Sequence, residues 1–170
     1  MKKVYIAGAM SADNILQMLQ NIHDGIKLGG EVLKLGYAPF VPHFDICFKL
    51  QQGVDFDVPM QYYYNYTMEW LKASDLVLVC PNWKNSKGTL AEIEKAKELN
   101  IPVLYSLNEL KVFNYVQEHL FDPITQVQEE IQKIVPGTTI ESSCGNITLT
   151  IPESIKEINL TIVGQEVHIV

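Results

Sequence analysis

The sequence predicts an α/β fold: a doubly wound parallel sheet, followed by a C-terminal helix and a small β meander. Three observations predict it. Short apolar, β-rich runs alternate with amphipathic helical stretches through residues 1–121. The run LVLVC at residues 76–80 is apolar at consecutive positions, as a strand covered on both faces must be. From residue 138 onward helical periodicity gives way to strict alternation, as in Ile147-Thr148-Leu149-Thr150-Ile151.

In order, residues 3–8 (KVYIAG) read as the central strand, with Gly8-Ala9-Met10-Ser11 turning at its C-terminal edge. A single glycine there excludes a dinucleotide fingerprint, which needs three. Residues 13–35 follow as a long helix, with Leu16, Leu19, Ile22, Ile26 and Val32 near helical spacing and Gly36 as the stop. Gly25, Gly29 and Gly30 weaken it, for which close backbone packing against the sheet is the reason offered. Residues 37–42 (YAPFVP) form a second strand, and Pro39 places it at the sheet edge. Residues 44–58 lack a clear period and read as a long loop with a short helical piece. The helix at 59–73, opened by Asp57 and Pro59, carries Tyr62, Tyr63, Tyr64 and Tyr66, which suit either an aromatic core face or a subunit interface.

A third strand at 75–80, a polar loop at 81–87 and a helix ending near Asn100 come next. A fourth strand spans 101–105, and a helical stretch opens at Ser106 with Glu109. Residues 122–135 form the C-terminal helix, stopped by Pro136-Gly137. The strands after it (TTIES, NITLTI, EINLTI, EVHIV) are separated by Cys144-Gly145, Pro152-Glu153-Ser154 and Gly164-Gln165. Residues 1–121 are thus expected as the α/β domain and 122–170 as a helix-plus-β extension for oligomerisation, making a homo-oligomer.

The net charge is −7, and all thirteen basic residues are lysines, with no arginine. An acidic chain without a basic cluster does not suit a nucleic acid polymer or an anionic membrane. No apolar run is long enough to span a bilayer, and Ser11, Ala12, Asp13 and Asn14 interrupt the N-terminal one too early for a signal peptide. The three cysteines, Cys47, Cys80 and Cys144, are odd in number and lack metal-ligand spacing. They point to a reducing, cytoplasmic compartment, with no metal and no cofactor. The sequons at Asn65, Asn146 and Asn159 then carry no glycan.

The candidate site centres on residues 82–97, NWKNSKGTLAEIEKAK. A loop running into a helix presents unpaired N–H groups and partial positive charge at the sheet's C-terminal edge. Ser86, Lys87, Gly88 and Thr89 therefore suit a phosphate or sugar hydroxyl. Glu92, placed on the first turn, suits a nucleophile for a glycosidic carbon. Taken by itself the stretch better suits a charge that complements the helix dipole, with Thr89 as the cap. His43, at the end of the second strand, is a candidate for contacting a base or donating a proton.

Five stretches together resemble the nucleoside 2-deoxyribosyltransferase superfamily, especially its small, nucleoside-monophosphate N-glycosidase-like branch of bacteria and phages. They are YIAGAMS at 5–11, the helical Asn21, PFVPH at 39–43, YTMEWLKASDLVLV at 66–79 and NSKGTLAEIEKAKELNIPVLYSLNEL at 85–110. The resemblance covers roughly residues 2–110, and the tail lies outside it. It implies a flavodoxin-like sheet and cleavage or exchange of the N-glycosidic bond of a nucleoside or nucleoside monophosphate. By the same resemblance, Glu92 is the nucleophile and Tyr5 positions it. Gly8, Met10, Ser11, Asn21, His43, Ser86, Gly88 and Thr89 are the corresponding substrate-binding positions. Serine at 86 matches the monophosphate hydrolases.

One position departs from the pattern. Relatives carry an aspartate in the helix before the third strand as proton donor or relay, where this chain has Thr67. Two readings stay open: an N-glycosidase or deoxyribosyltransferase, or a nucleotide-binding module that senses or sequesters a nucleotide signal.

Overall fold

The structure is a computed structural model that describes residues 1–51, 58–118, 124–143, 146–151, 158–163 and 166–169. Asp57, the expected domain junction at 121/122 and the expected turns at 144–145, 152–154 and 164–165 lie outside the described residues. The chain divides into two units, Met1–Val103 and Leu104–Val170.

The first unit carries β1 (Lys3–Ala7), α1 (Ile15–Lys34), β2 (Ala38–Phe40), α2 (Ile46–Gln51), α3 (Met60–Lys72), β3 (Leu76–Val79) and α4 (Lys87–Glu98). With β4 (Val103–Leu104) the strands make one parallel sheet in the order β2-β1-β3-β4, flanked by helices. This is the doubly wound, flavodoxin-like arrangement. Every residue of β3, and Val4 to Ala7 of β1, is buried, because an inner parallel strand is covered on both faces. Pro39 lies on β2, which is an edge strand, as its missing N–H requires.

Local signals set the helix ends. Asn14 caps α1 by accepting the Gln17 N–H at 2.9 Å. Gly36 (φ 83°) and Asn100 (φ 56°) take the left-handed conformation just beyond α1 and α4. The aperiodic stretch after β2 is more ordered than a loop: a turn of 3₁₀-helix at Pro42–Asp45 runs directly into α2. On α3 only Thr67 and Leu71 are buried, while Tyr62, Tyr64 and Tyr66 are exposed, so an aromatic core face is excluded. Phe40 instead stacks on Trp70 with centroids 5.1 Å apart, and Tyr5 lies against the same ring at 5.7 Å.

The second unit carries α5 (Leu107–Glu118), α6 (Ile124–Ile134) and β5 (Thr139–Ser143), β6 (Asn146–Thr150), β7 (Ile158–Val163) and β8 (Glu166–Ile169). The four strands form an antiparallel meander in sequence order. Ser106 and Glu109 close a capping box: Ser106 Oγ accepts the Glu109 N–H at 3.1 Å, and Glu109 accepts the Tyr105 N–H at 2.7 Å. Val127, Ile131 and Val135 form one buried stripe at helical spacing. Among the described residues no helix is long and apolar enough to cross a membrane.

Candidate functional site

In a doubly wound sheet the chain leaves β1 toward one side and β3 toward the other, which opens a crevice at the strands' C-terminal ends. A cavity of about 310 Å³ occupies that place. The turn after β1 contributes Gly8, Met10 and Ser11; the segment after β2 contributes Pro42, His43, Asp45 and Lys49. Met60, Tyr63, Tyr64 and Thr67 come from α3, and Asn85 to Thr89 with Glu92 from the loop and helix after β3. The volume falls within the range of small-molecule sites.

Ser86 caps α4, its Oγ accepting the Thr89 N–H at 3.2 Å and the Thr89 hydroxyl at 2.9 Å. This corrects the expectation that Thr89 is the cap and that Glu92 sits in the first turn. A cap side chain must lie ahead of the N–H it receives, so the helix starts at Lys87 and Glu92 falls one turn further in. The Lys87 and Gly88 N–H groups, like those of any first turn, have no intrahelical acceptor. A Cβ added at Gly88 would meet only Ser86 Oγ and Tyr64 Cε1, both at 4.0 Å, so the glycine keeps cavity space open.

Glu92 does not complement the helix dipole. The hydroxyl of fully buried Tyr5 donates to its Oε1 at 2.7 Å, across 87 residues of sequence. Oε2 is shielded from solvent and has no partner among the described residues. Burial pushes the carboxyl up to about 7, opposed by the Tyr5 hydrogen bond, which favours the charged form. Tyr5 itself is held well above its ordinary range by burial, then by the Glu92 charge, so it remains a proton-bearing donor.

His43 is 1% exposed, and its ring takes the space a side chain at Gly25 would need. A Cβ at Gly25 would lie 2.3 Å from His43 Nδ1, and one at Gly8 would lie 3.1 Å from His43 Cε1 and 2.6 Å from Cys80 Sγ. Burial lowers the imidazole's affinity for a second proton, opposed by the Ala9 backbone, and both ring nitrogens are shielded from solvent. The ring is therefore a neutral wall of the cavity.

The structure brings Gly8, Met10, Ser11, His43, Ser86, Gly88, Thr89 and Glu92 together around one cavity, with Tyr5 behind the carboxylate. Asn21 stands apart. It is buried and does not line the cavity; Oδ1 accepts from Asn82 Nδ2 at 2.6 Å and Gln17 Nε2 at 3.0 Å, while Nδ2 reaches the Met10 and Ser11 carbonyls at 3.5 and 3.4 Å. It braces the turn after β1 against the loop after β3. Thr67 does line the cavity, and its hydroxyl donates to the Tyr64 carbonyl at 3.2 Å.

Sequence reasoning passed over Asp45, Lys49, Tyr63 and Tyr64. Asp45 is 7% exposed, and burial raises its carboxyl to about 6. Its signal was its position, two residues past His43 at a strand's C-terminal end, within a stretch read as loop. Lys49 lies over the Tyr63 ring, 5.5 Å from the centroid. Among the described residues no group of three or more His, Cys, Asp or Glu is placed to hold a metal ion.

Fold and cavity together define a flavodoxin-like α/β domain with a small-molecule-sized hollow at its topological switch point, floored by a tyrosine-held glutamate. The chain belongs to the family described as Domain of unknown function (DUF4406), whose model matches residues 2–105, more than half of its length. No curated protein and no solved structure matches it.

Proposed function

We propose that this protein cleaves or exchanges the N-glycosidic bond of a nucleoside 5′-monophosphate. Glu92 attacks C1′ of the sugar, and Tyr5 holds the attacking carboxylate. The observation that carries the proposal is the 2.7 Å Tyr5–Glu92 hydrogen bond on the wall of a cavity that also holds the α4 N-terminus. The Ser86 hydroxyl and the Lys87 and Gly88 N–H groups supply the donors a phosphate needs. Lys49 and Lys87 line the same cavity and complement its charge. The cavity's size admits one nucleotide rather than a polymer.

In the reaction the C1′–O bond to Glu92 forms as the C1′–N bond breaks, and the base leaves with that electron pair. Water, or a second base, then attacks C1′ and returns Glu92 as a carboxylate. Thr67 favours the second reading, a module that only binds nucleotide, because a threonine hydroxyl donates no proton at neutral pH.

Incubation with a panel of nucleosides and monophosphates, followed by chromatography of released base, separates the two. Base release by the natural sequence that disappears in Glu92→Gln supports the enzyme. Tight binding without release, unchanged in Glu92→Gln, supports the module.

A further inference from the structure

We infer that Asp45 is the proton donor to the departing base, taking the part that Thr67 leaves vacant. The inference rests on the glycosidase reading above and adds the identity of the acid.

The cavity needs one carboxylate to attack and one group to deliver a proton, and among the described residues two acidic side chains line it. Their surroundings differ. Glu92 receives the Tyr5 hydroxyl at 2.7 Å, which stabilises its charged form. Asp45 lines the same cavity, is 7% exposed, and has neither a hydrogen bond nor an ion pair among the described residues. Among the described residues nothing fixes it as an anion; burial raises its carboxyl to about 6, below the about 7 of Glu92, so the reacting form, with the proton on Asp45 and the charge on Glu92, is a minority species at neutral pH. A group in that range serves general acid catalysis well.

The other cavity groups are less suited. His43 is neutral, and neither ring nitrogen is solvent-accessible. Tyr5 is committed to Glu92 and holds its proton too firmly. Lys49 and Lys87 are cations whose charge complements phosphate. Asp45 also shares its surroundings with the reacting pair: its charge is felt by Tyr5 on β1 and by Tyr66 on α3. It enters the cavity from the segment after β2, while Glu92 enters from α4 after β3. The two carboxyls thus approach from different elements.

The proton balance closes without a further reactant. Asp45 gives its proton to the base nitrogen that leaves C1′, becoming a carboxylate. In the second step it takes a proton from the water that attacks the Glu92 ester, which restores both side chains.

The test compares two substrates. One is the nucleotide with the fastest turnover in the panel; the other is the same sugar phosphate carrying para-nitrophenol, whose anion departs without a proton. In Asp45→Asn we expect first-turnover release of base from the nucleotide to slow by about 10²-fold or more, the usual range for loss of a general acid, while the first-turnover burst of nitrophenol stays within a few-fold of the natural sequence; the later water step, where Asp45 acts as base, slows on both substrates. That second substrate reports folding as well as chemistry, and Asp45→Glu, which keeps an acid there, should recover part of the nucleotide rate. Equal losses in the first turnover of both substrates, or no loss there on the nucleotide, would overturn the role of Asp45 while Glu92→Gln still abolished both reactions. Absence of base release from the natural sequence itself would overturn the glycosidase reading, and this inference with it.

Discussion

Removing one oxygen atom from Tyr5 tests how the site is charged. In Tyr5→Phe, Glu92 Oε1 loses its 2.7 Å donor, and Oε2 has no partner among the described residues. A hydrogen bond to a charged group is worth about 1.5–3 kcal/mol, which corresponds to a rise of about one to two pH units in the carboxyl's titration. The starting point is about 7, where burial already holds it. The variant should therefore titrate at about 8–9, and the carboxylate fraction at neutral pH should fall from about one half to between about one-tenth and one-hundredth. Carbon-13 NMR of glutamate carboxyls, with the Glu92 resonance assigned by Glu92→Gln, reads this without any substrate. A Glu92 carboxyl that titrates near 4.5 in the natural sequence, or that does not move upward in Tyr5→Phe, would refute the reasoning.

Other outcomes follow from the same geometry. Gly25→Ala should destabilise by about 1–3 kcal/mol because its Cβ collides with the His43 ring, whereas Gly30→Ala, with nothing within 4 Å, should stabilise by about 0.5–1 kcal/mol; thermal melts of the two variants check this. Ser86→Ala should cost about 1 kcal/mol, since the Thr89 N–H and hydroxyl lose their acceptor, and should weaken monophosphate binding more than nucleoside binding by calorimetry. Glu92 is raised from 4.5 to about 7 and Asp45 from 3.8 to about 6. Folding therefore retains protons that the unfolded chain releases. Their contribution is full below the ordinary carboxyl range and is lost as pH rises through about 6 and then about 7. Glu92→Gln should accordingly melt higher than the natural sequence at alkaline pH, by on the order of 1–3 kcal/mol of stability, with the difference shrinking toward acid pH.

The parallel sheet was legible because its inner strands must be apolar on both faces, and LVLVC at 76–80 has few other uses. Pro39 marked the edge strand for a reason intrinsic to proline, and Gly36 and Asn100 marked helix ends through their backbone conformation. The placement of Glu92 was half legible. Its neighbourhood followed from the strand–loop–helix order, but its turn depended on whether Ser86 or Thr89 capped the helix, and both residues are good caps. Asp45 was not legible, since a 3₁₀ turn followed by a six-residue helix is too short to impress a period on the sequence. The reason for Gly25 was visible only in part: packing was foreseen, but its partner is His43, eighteen residues on, rather than a strand backbone.

The central claim is that Glu92 becomes covalently bound to sugar during turnover. Incubation with the best monophosphate, an acid quench and mass spectrometry of the proteolysed chain test it most directly. The account predicts a sugar phosphate on the peptide containing Glu92, absent when incubation is omitted and absent in Glu92→Gln. Base release with no such adduct, or an adduct on another side chain, would contradict it.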